Sequence, residues 1–233
     1  MRRRRCARSP RWRGSAVVDV KFCGLTRAED AETAVALGAG YVGAIFAGGP
    51  REVSAEEAQS VLRPASGTAV RRVGVFGAQS VGEVLRIASV ASLDIVQLSY
   101  GGSAEHRIGL RAAFDGEVWA VAHVADAAAV DAAAAWFDDG IDAVVLDAAV
   151  AGKLGGTGVA LDWAAVAPAV RRLRTRGRVV LAGGLRPENV VEALDAVAVD
   201  IVDVSSGVEL APGIKDPSRM RAFAAAVRAH EVR

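Results

Sequence analysis

Histidine and cysteine are scarce in this chain of 233 residues, which has three of the first and two of the second. Only His106, His123 and His230 are available as imidazole bases or ligands, and no Cys/His cluster has metal-ligand spacing. No GxSxG nucleophile elbow occurs, so a serine triad is excluded on the same ground. Cys6 and Cys23 suggest no disulfide framework, because Cys6 lies in a basic leader, and a reducing cytoplasm suits this usage. No run reaches the roughly 18 uninterrupted apolar residues of a membrane span. No GxGxxG follows the first strand-like segment, where CGLT stands instead.

Acidic residues are missing from one stretch. Residues 1–16 hold seven arginines and no acid, whereas the whole chain has 28 basic and 27 acidic residues. Removing those seven leaves 21 basic against 27 acidic, so the net charge of +1 averages a basic leader and a mildly acidic body. The leader lacks the apolar segment of a secretory signal. A nucleic-acid arm and an organelle transit peptide are its other readings, but an arginine run without helical period reads best as a solvated, disordered extension. The acidic body argues against nucleic acid as a partner.

From Val17 a single pattern repeats. Short β-branched runs begin near Val17, Tyr41, Arg71, Asp94, Glu117, Ile141, Arg178 and Asp200, and each precedes a polar or Gly-rich joint and a helical segment. Val81, Val84, Leu85 and Ala88 share a helix face, as do Met220, Phe223, Ala224 and Val227. Thr26 with Glu29, Ser54 with Glu57, and Ser80 with Glu83 have capping-box spacing. Pro187 and Pro217 suit first helical turns, and Asp126–Trp136 reads as an Ala-rich helix. Eight βα units predict a single-domain (β/α)8 TIM barrel over residues 17–233, with an open doubly wound sheet as the alternative.

In such a barrel the chemistry belongs at the C-terminal strand ends. Three Gly-rich loops fall there late in the chain, at 155–158, 182–185 and 205–209. Free backbone N–H groups in such loops, after strands seven and eight above all, suit a phosphate ester. Gly156, Gly158, Gly183, Gly184, Ser206 and Gly207 are the expected phosphate contacts. Cys23 ends the first strand and Asp147 the sixth, a thiol and a carboxyl that could shuttle protons between carbon and oxygen. Taken singly, a strand-end cysteine is more often a small buried hydrophobe, and such an aspartate more often a cap.

The ordered segments Lys21-Phe22-Cys23-Gly24-Leu25-Thr26, Val96-Gln97-Leu98, Gly155-Gly156-Thr157-Gly158, Leu181-Ala182-Gly183-Gly184-Leu185 and Asp203-Val204-Ser205-Ser206-Gly207-Val208-Glu209, with Pro212-Gly213 and Lys215-Asp216, resemble phosphoribosylanthranilate isomerases. The resemblance runs from about Val20 to the C-terminus. It implies a cofactor-free, metal-free barrel that performs an Amadori rearrangement of N-(5-phosphoribosyl)anthranilate in tryptophan biosynthesis; monomer and homodimer both stay open. It implies Cys23 as general base and Asp147 as general acid, and Arg51 as partner of the anthranilate carboxylate. A cysteine acting so is expected as a thiolate with a pKa below the ~8.5 of a free thiol.

Two departures stand out. Ser99-Tyr100-Gly101-Gly102 replaces the family's usual His-Gly after Gln97-Leu98, and Gly49-Pro50-Arg51 replaces Ser-Pro-Arg. Three readings compete with the isomerase. A related barrel isomerises a histidine precursor, but it carries aspartate where Cys23 stands. The others are a phosphate-ester-binding barrel without catalysis, and nucleic-acid binding through the leader.

Overall fold

The computed structural model describes residues 17–147 and 163–231. Eight parallel strands close into a barrel in sequence order: β1 (Asp19–Phe22), β2 (Tyr41–Ile45), β3 (Arg71–Phe76), β4 (Ile95–Leu98), β5 (Glu117–His123), β6 (Ala143–Asp147), β7 (Arg178–Ala182) and β8 (Ile201–Val204). Helices follow them on the outside: α1 (Ala28–Ala36), α2 (Ala55–Leu62), α3 (Val81–Val90), α4 (Ala104–Ala113), α5 (Ala127–Ala133), α6 (Trp163–Arg174), α7 (Val190–Ala196) and α8 (Pro217–Glu231). A short hairpin of β9 (Glu209–Ala211) and β10 (Ile214–Lys215), absent from the sequence reading, fills the joint between β8 and α8. Among the described residues no helix is long and apolar enough to cross a membrane.

The predicted strands are all present, starting within two residues of the expected positions. Each alternates its side chains between two cores. Outward residues such as Phe22, Leu98 and Leu146 pack under the helices with Met220 and Phe223. Inward residues such as Tyr41, Val73, Ile95, Trp119, Val145 and Val180 fill the barrel, where Tyr41 meets Trp119 edge-on with ring centroids 5.1 Å apart. The barrel is closed by β1 against β8, with Lys21 opposite Asp203 and Phe22 opposite Val204.

Ser54 and Ser80 cap α2 and α3 with complete boxes to Glu57 and Glu83. Thr26 does not cap α1. Its hydroxyl donates to Gly213 O at 2.6 Å, tying the first loop to the β9–β10 hairpin, and Arg27 occupies the cap position instead. Pro217 opens α8 as expected, but Pro187 lies in the turn before α7 rather than in its first helical turn. The Ala-rich helix starts at its Asp126 cap and tightens into a 3-10 helix over Ala134–Asp139, stopped by Gly140 with φ +90°. The leader 1–16 and the Gly155–Gly158 loop lie outside the described residues.

Strand stagger in an eight-stranded barrel is about one residue per strand, so inward side chains stack in layers of four from alternate strands. Following the pairings around the barrel gives a floor of Asp19, Arg71, Glu117 and Arg178. Above it lie Tyr41, Ile95, Ala143 and Ile201, then Lys21, Val73, Trp119 and Val180. The fourth layer is Gly43, Gln97, Val145 and Asp203; the fifth is Cys23, Val75, Val121 and Ala182. Ile45, Ser99, Asp147 and Ser205 form the rim.

Candidate active site

Cys23 and Asp147 occupy adjacent layers at the C-terminal end of the barrel, on opposite sides of its mouth. Cys23 leaves β1 with its N–H still bonded to Val204 O at 2.9 Å, which holds it in the barrel wall, 6% exposed. Asp147 ends β6 beside Ala182 and His123 in the register and is half-buried.

Directly beneath Cys23 lies an ion pair that the strand pattern masked. Lys21, wholly buried, donates from Nζ to Asp203 Oδ2 at 2.6 Å. Burial opposes the Lys21 charge, but Asp203 and Cys23 together more than offset it and raise the pKa above that of a free lysine. Asp203 Oδ1 is buried without a partner among the described residues. A charged residue at an inward position of an otherwise apolar strand was the available signal, in Val20-Lys21-Phe22 and again in Val202-Asp203-Val204.

The expected depression of the Cys23 pKa is not found. Burial pushes the thiol up, outweighing the cations Lys21 and Lys215, while Asp203 adds to the rise. In the unliganded barrel the sulfur is a buried thiol, because the loss of hydration outweighs the support that Lys21 and Lys215 give to a thiolate.

Arg51 reaches the site over Gly24. With φ +68°, Gly24 has no side chain to obstruct it; a Cβ there would stand 2.7 Å from Arg51 Cδ and 2.9 Å from Ser205 Oγ. The guanidinium is bound by Glu209 through Nε at 2.8 Å and Nη2 at 2.7 Å, and Nη1 makes no hydrogen bond among the described residues. Lys215, also wholly buried, donates to the same Glu209 Oε1 at 2.7 Å and to Ser205 O at 3.1 Å. Burial would raise the Glu209 carboxyl, but Arg51 and Lys215 pull it down to about 2. One carboxylate thus faces two cations, leaving local positive charge beside Cys23. Sequence reasoning placed Glu209 and Lys215 in a loop and gave them no role. Their signal was the pair of charges flanking Pro212-Gly213.

The late loops meet beside this cluster, since β8 pairs with β1. Gly183 and Gly184 end β7 in the left-handed region, with φ +90° and +65°. Their N–H groups and that of Ser206 donate to no backbone oxygen among the described residues. A Cβ on Gly207 would lie 1.9 Å from Leu185 O, so this glycine lets the loop after β8 close onto the loop after β7. Gly156 and Gly158 lie outside the described residues.

Ser99, at the position of the family's histidine, turns its hydroxyl away to Phe76 O at 2.8 Å. Tyr100 instead pairs with His106 across a 3.0 Å contact to Nδ1. Arg107 fixes this loop by donating to Gly101 O and Gly102 O while lying over the Trp136 ring, 5.1 Å from its centroid.

The family model described as N-(5'phosphoribosyl)anthranilate (PRA) isomerase matches residues 20–226. An N-(5'-phosphoribosyl)anthranilate isomerase of Syntrophus aciditrophicus is 37% identical over 216 residues, covering 92% of this chain and 89% of that protein. Its counterpart from Pseudomonas aeruginosa is 39% identical over 212 residues, covering 91% and 95%. Among solved structures, the Thermotoga maritima phosphoribosyl anthranilate isomerase superposes with a TM-score of 0.80 at 33% identity, covering 91% of this chain and all of that one. A phosphoribosyl anthranilate isomerase in complex with reduced 1-(o-carboxyphenylamino)-1-deoxyribulose 5-phosphate gives 0.78 at 32% identity, with the same coverage. The chain belongs to the N-(5'-phosphoribosyl)anthranilate isomerase family.

Proposed function

We infer that this chain converts N-(5-phosphoribosyl)anthranilate to 1-(2-carboxyphenylamino)-1-deoxyribulose 5-phosphate, a step of tryptophan biosynthesis, by general acid–base catalysis. The observation that carries the assignment of roles is the pairing of Cys23 and Asp147 across one barrel mouth, in a chain of this family.

Asp147 donates its proton to the ribose ring oxygen as the bond from that oxygen to C1 breaks, and the nitrogen lone pair forms the iminium C1=N. Cys23, once its thiol proton has passed to solvent, takes the proton from C2 as the thiolate, and the electrons of that bond move toward the iminium to give an enolamine. Return of a proton to C1 and loss of the enol proton leave the C2 ketone. These steps balance as proton transfers alone.

The raised thiol fits this order of events. The iminium brings positive charge next to C2 only after ring opening, so the thiolate is favoured at the step that consumes it. Arg51 offers its remaining guanidinium edge to the anthranilate carboxylate, with Glu209 holding the plane in orientation. Gly183, Gly184, Ser206 and Gly207, together with Gly156 and Gly158, supply backbone N–H groups to the phosphate. The reaction belongs to residues 17–233; the basic segment 1–16 takes no part in it, and the cytoplasm is its compartment.

Expression in a tryptophan auxotroph lacking this isomerase tests the reading. Growth without tryptophan is expected from the full chain and from one lacking residues 1–16. No growth, with soluble protein present, would overturn the assignment.

A further inference from the structure

One buried polar side chain in the barrel has no task in the mechanism above. Gln97 projects inward from β4 in the layer beneath Cys23, across the barrel from Asp203, and is 4% exposed. Its carbonyl oxygen Oε1 is buried and has no hydrogen-bond partner among the described residues. An unpaired amide oxygen at this depth destabilises the unliganded protein, and a leucine or methionine would fill the same space without that penalty.

The surrounding donors are already engaged. Trp119 Nε1, one layer down, donates to Glu117 at 2.9 Å. Ser99 Oγ, at the rim above, donates to Phe76 O. Lys21 Nζ donates to Asp203 and makes no hydrogen bond to Gln97. Gly43 and Val145, which share the layer, have no side-chain donor. Gly43 also keeps the space open below the sulfur, since a Cβ there would stand 3.2 Å from Cys23 Sγ. Among the described residues none supplies the donor, so a ligand is left to bring it, as a hydroxyl or N–H. The phosphate and carboxylate ends of the substrate are acceptors, and its anilino N–H sits at the Arg51 end. The pentose chain between them carries the hydroxyls.

We propose that Gln97 is a substrate-orienting residue whose Oε1 accepts a hydrogen bond from one hydroxyl of the pentose chain, setting the C2–H bond toward Cys23. This rests on the isomerase reading and names a contact within it. It also explains why an amide persists where an apolar side chain would be more stable. A neutral acceptor binds a hydroxyl without placing another negative charge beside Asp203 and the thiolate.

The test compares the wild-type protein with Gln97→Leu and Gln97→Met in turnover, thermal stability and affinity for reduced 1-(o-carboxyphenylamino)-1-deoxyribulose 5-phosphate. Affinity is also measured for analogues each lacking one chain hydroxyl. Both variants are expected to keep or raise Tm, lose about 10–100-fold in kcat/KM, and bind the full analogue correspondingly less tightly. One deoxy analogue is expected to bind wild type and variants equally. The proposal is overturned by unchanged kcat/KM, by equal affinity losses for every analogue, or by variants that unfold or lose Tm, which marks a structural role. A wild-type protein without isomerase turnover would overturn the function itself, a different result from an active wild type with indifferent variants.

Discussion

The two ends of the barrel treat buried charge in opposite ways. At the floor, Glu117 pairs with both Arg71 and Arg178 and accepts from Trp119 Nε1 as well, so two cations and one indole share a single carboxylate. Near the mouth, Asp203 Oδ1 and Gln97 Oε1 lie buried and unpartnered among the described residues, and a thiol is held above its ordinary pKa. The strands are the same and so is their alternation. The Glu117 carboxylate at the floor has its partners within the protein, while two acceptors near the mouth have none among the described residues. Charged residues in a barrel interior therefore have to be read by layer, because the same lysine or glutamate stabilises at one end and works at the other.

The largest test of this contrast is at the mouth. Cys23→Ala and Asp147→Asn should each lower kcat by roughly 10³-fold or more, in the range that general acid–base groups contribute, with Tm nearly unchanged. Steady-state kinetics beside a melting curve checks this, and a variant that retains near-normal turnover removes its residue from the mechanism. The complementary change is at the floor. Glu117→Gln leaves Arg71 and Arg178 short of a counter-charge and should cost about 2 kcal/mol of stability, discounted from the fully buried case because all three side chains are partly exposed. Denaturant unfolding reads that loss, and kcat of the folded variant should stay within a factor of two or so. A floor variant that loses turnover while holding its stability would erase the distinction between the two ends.

Arg51→Lys is a smaller change. It keeps a charge but gives up the two-pronged grip of Glu209, so KM should rise roughly tenfold with a lesser effect on kcat. A fall in kcat alone would place Arg51 with the reacting atoms instead. The smallest effect lies in pH. The Glu209 carboxyl stands at about 2, below its ordinary value of 4.5, so its contribution to stability is complete above about 4.5 and is lost as pH falls toward 2. Acid titration of stability in Glu209→Gln should lack that loss, and parallel curves for variant and wild type would contradict it. In the catalytic profile, the raised thiol predicts that kcat/KM climbs with pH into the alkaline range, because that proton has to leave between the free enzyme and the C2 step.

Much of this architecture was legible from residue order. The eight strand starts follow from β-branched runs, and the caps at Ser54 and Ser80 from local spacing, because those features depend on neighbours a few residues away. Thr26 has the same spacing with Glu29 and fails as a cap, since its hydroxyl is claimed by Gly213, 187 positions later. The partners at the mouth were illegible for the same reason. Nothing near Lys21 announces Asp203, and Arg51 gives no hint that Glu209 will orient it, 158 positions on. Cys23 shows the further limit. Its place at the end of β1 was legible, but the rise of its pKa was not, because burial belongs to the packed interior.

The junction of β1 with β8 has a consequence for how the protein is made. Cys23 and Lys21 leave the ribosome well before their partners, because Asp203, on the strand that receives the Cys23 N–H, is synthesised 182 residues after Lys21. Until that strand arrives the lysine cannot enter the interior as a paired ion, and the first strand has an open edge. The reactive end of the barrel is thus finished by a strand translated long after the base that it encloses. A nascent chain stopped short of β8 holds the base and has no closed wall in which to use it.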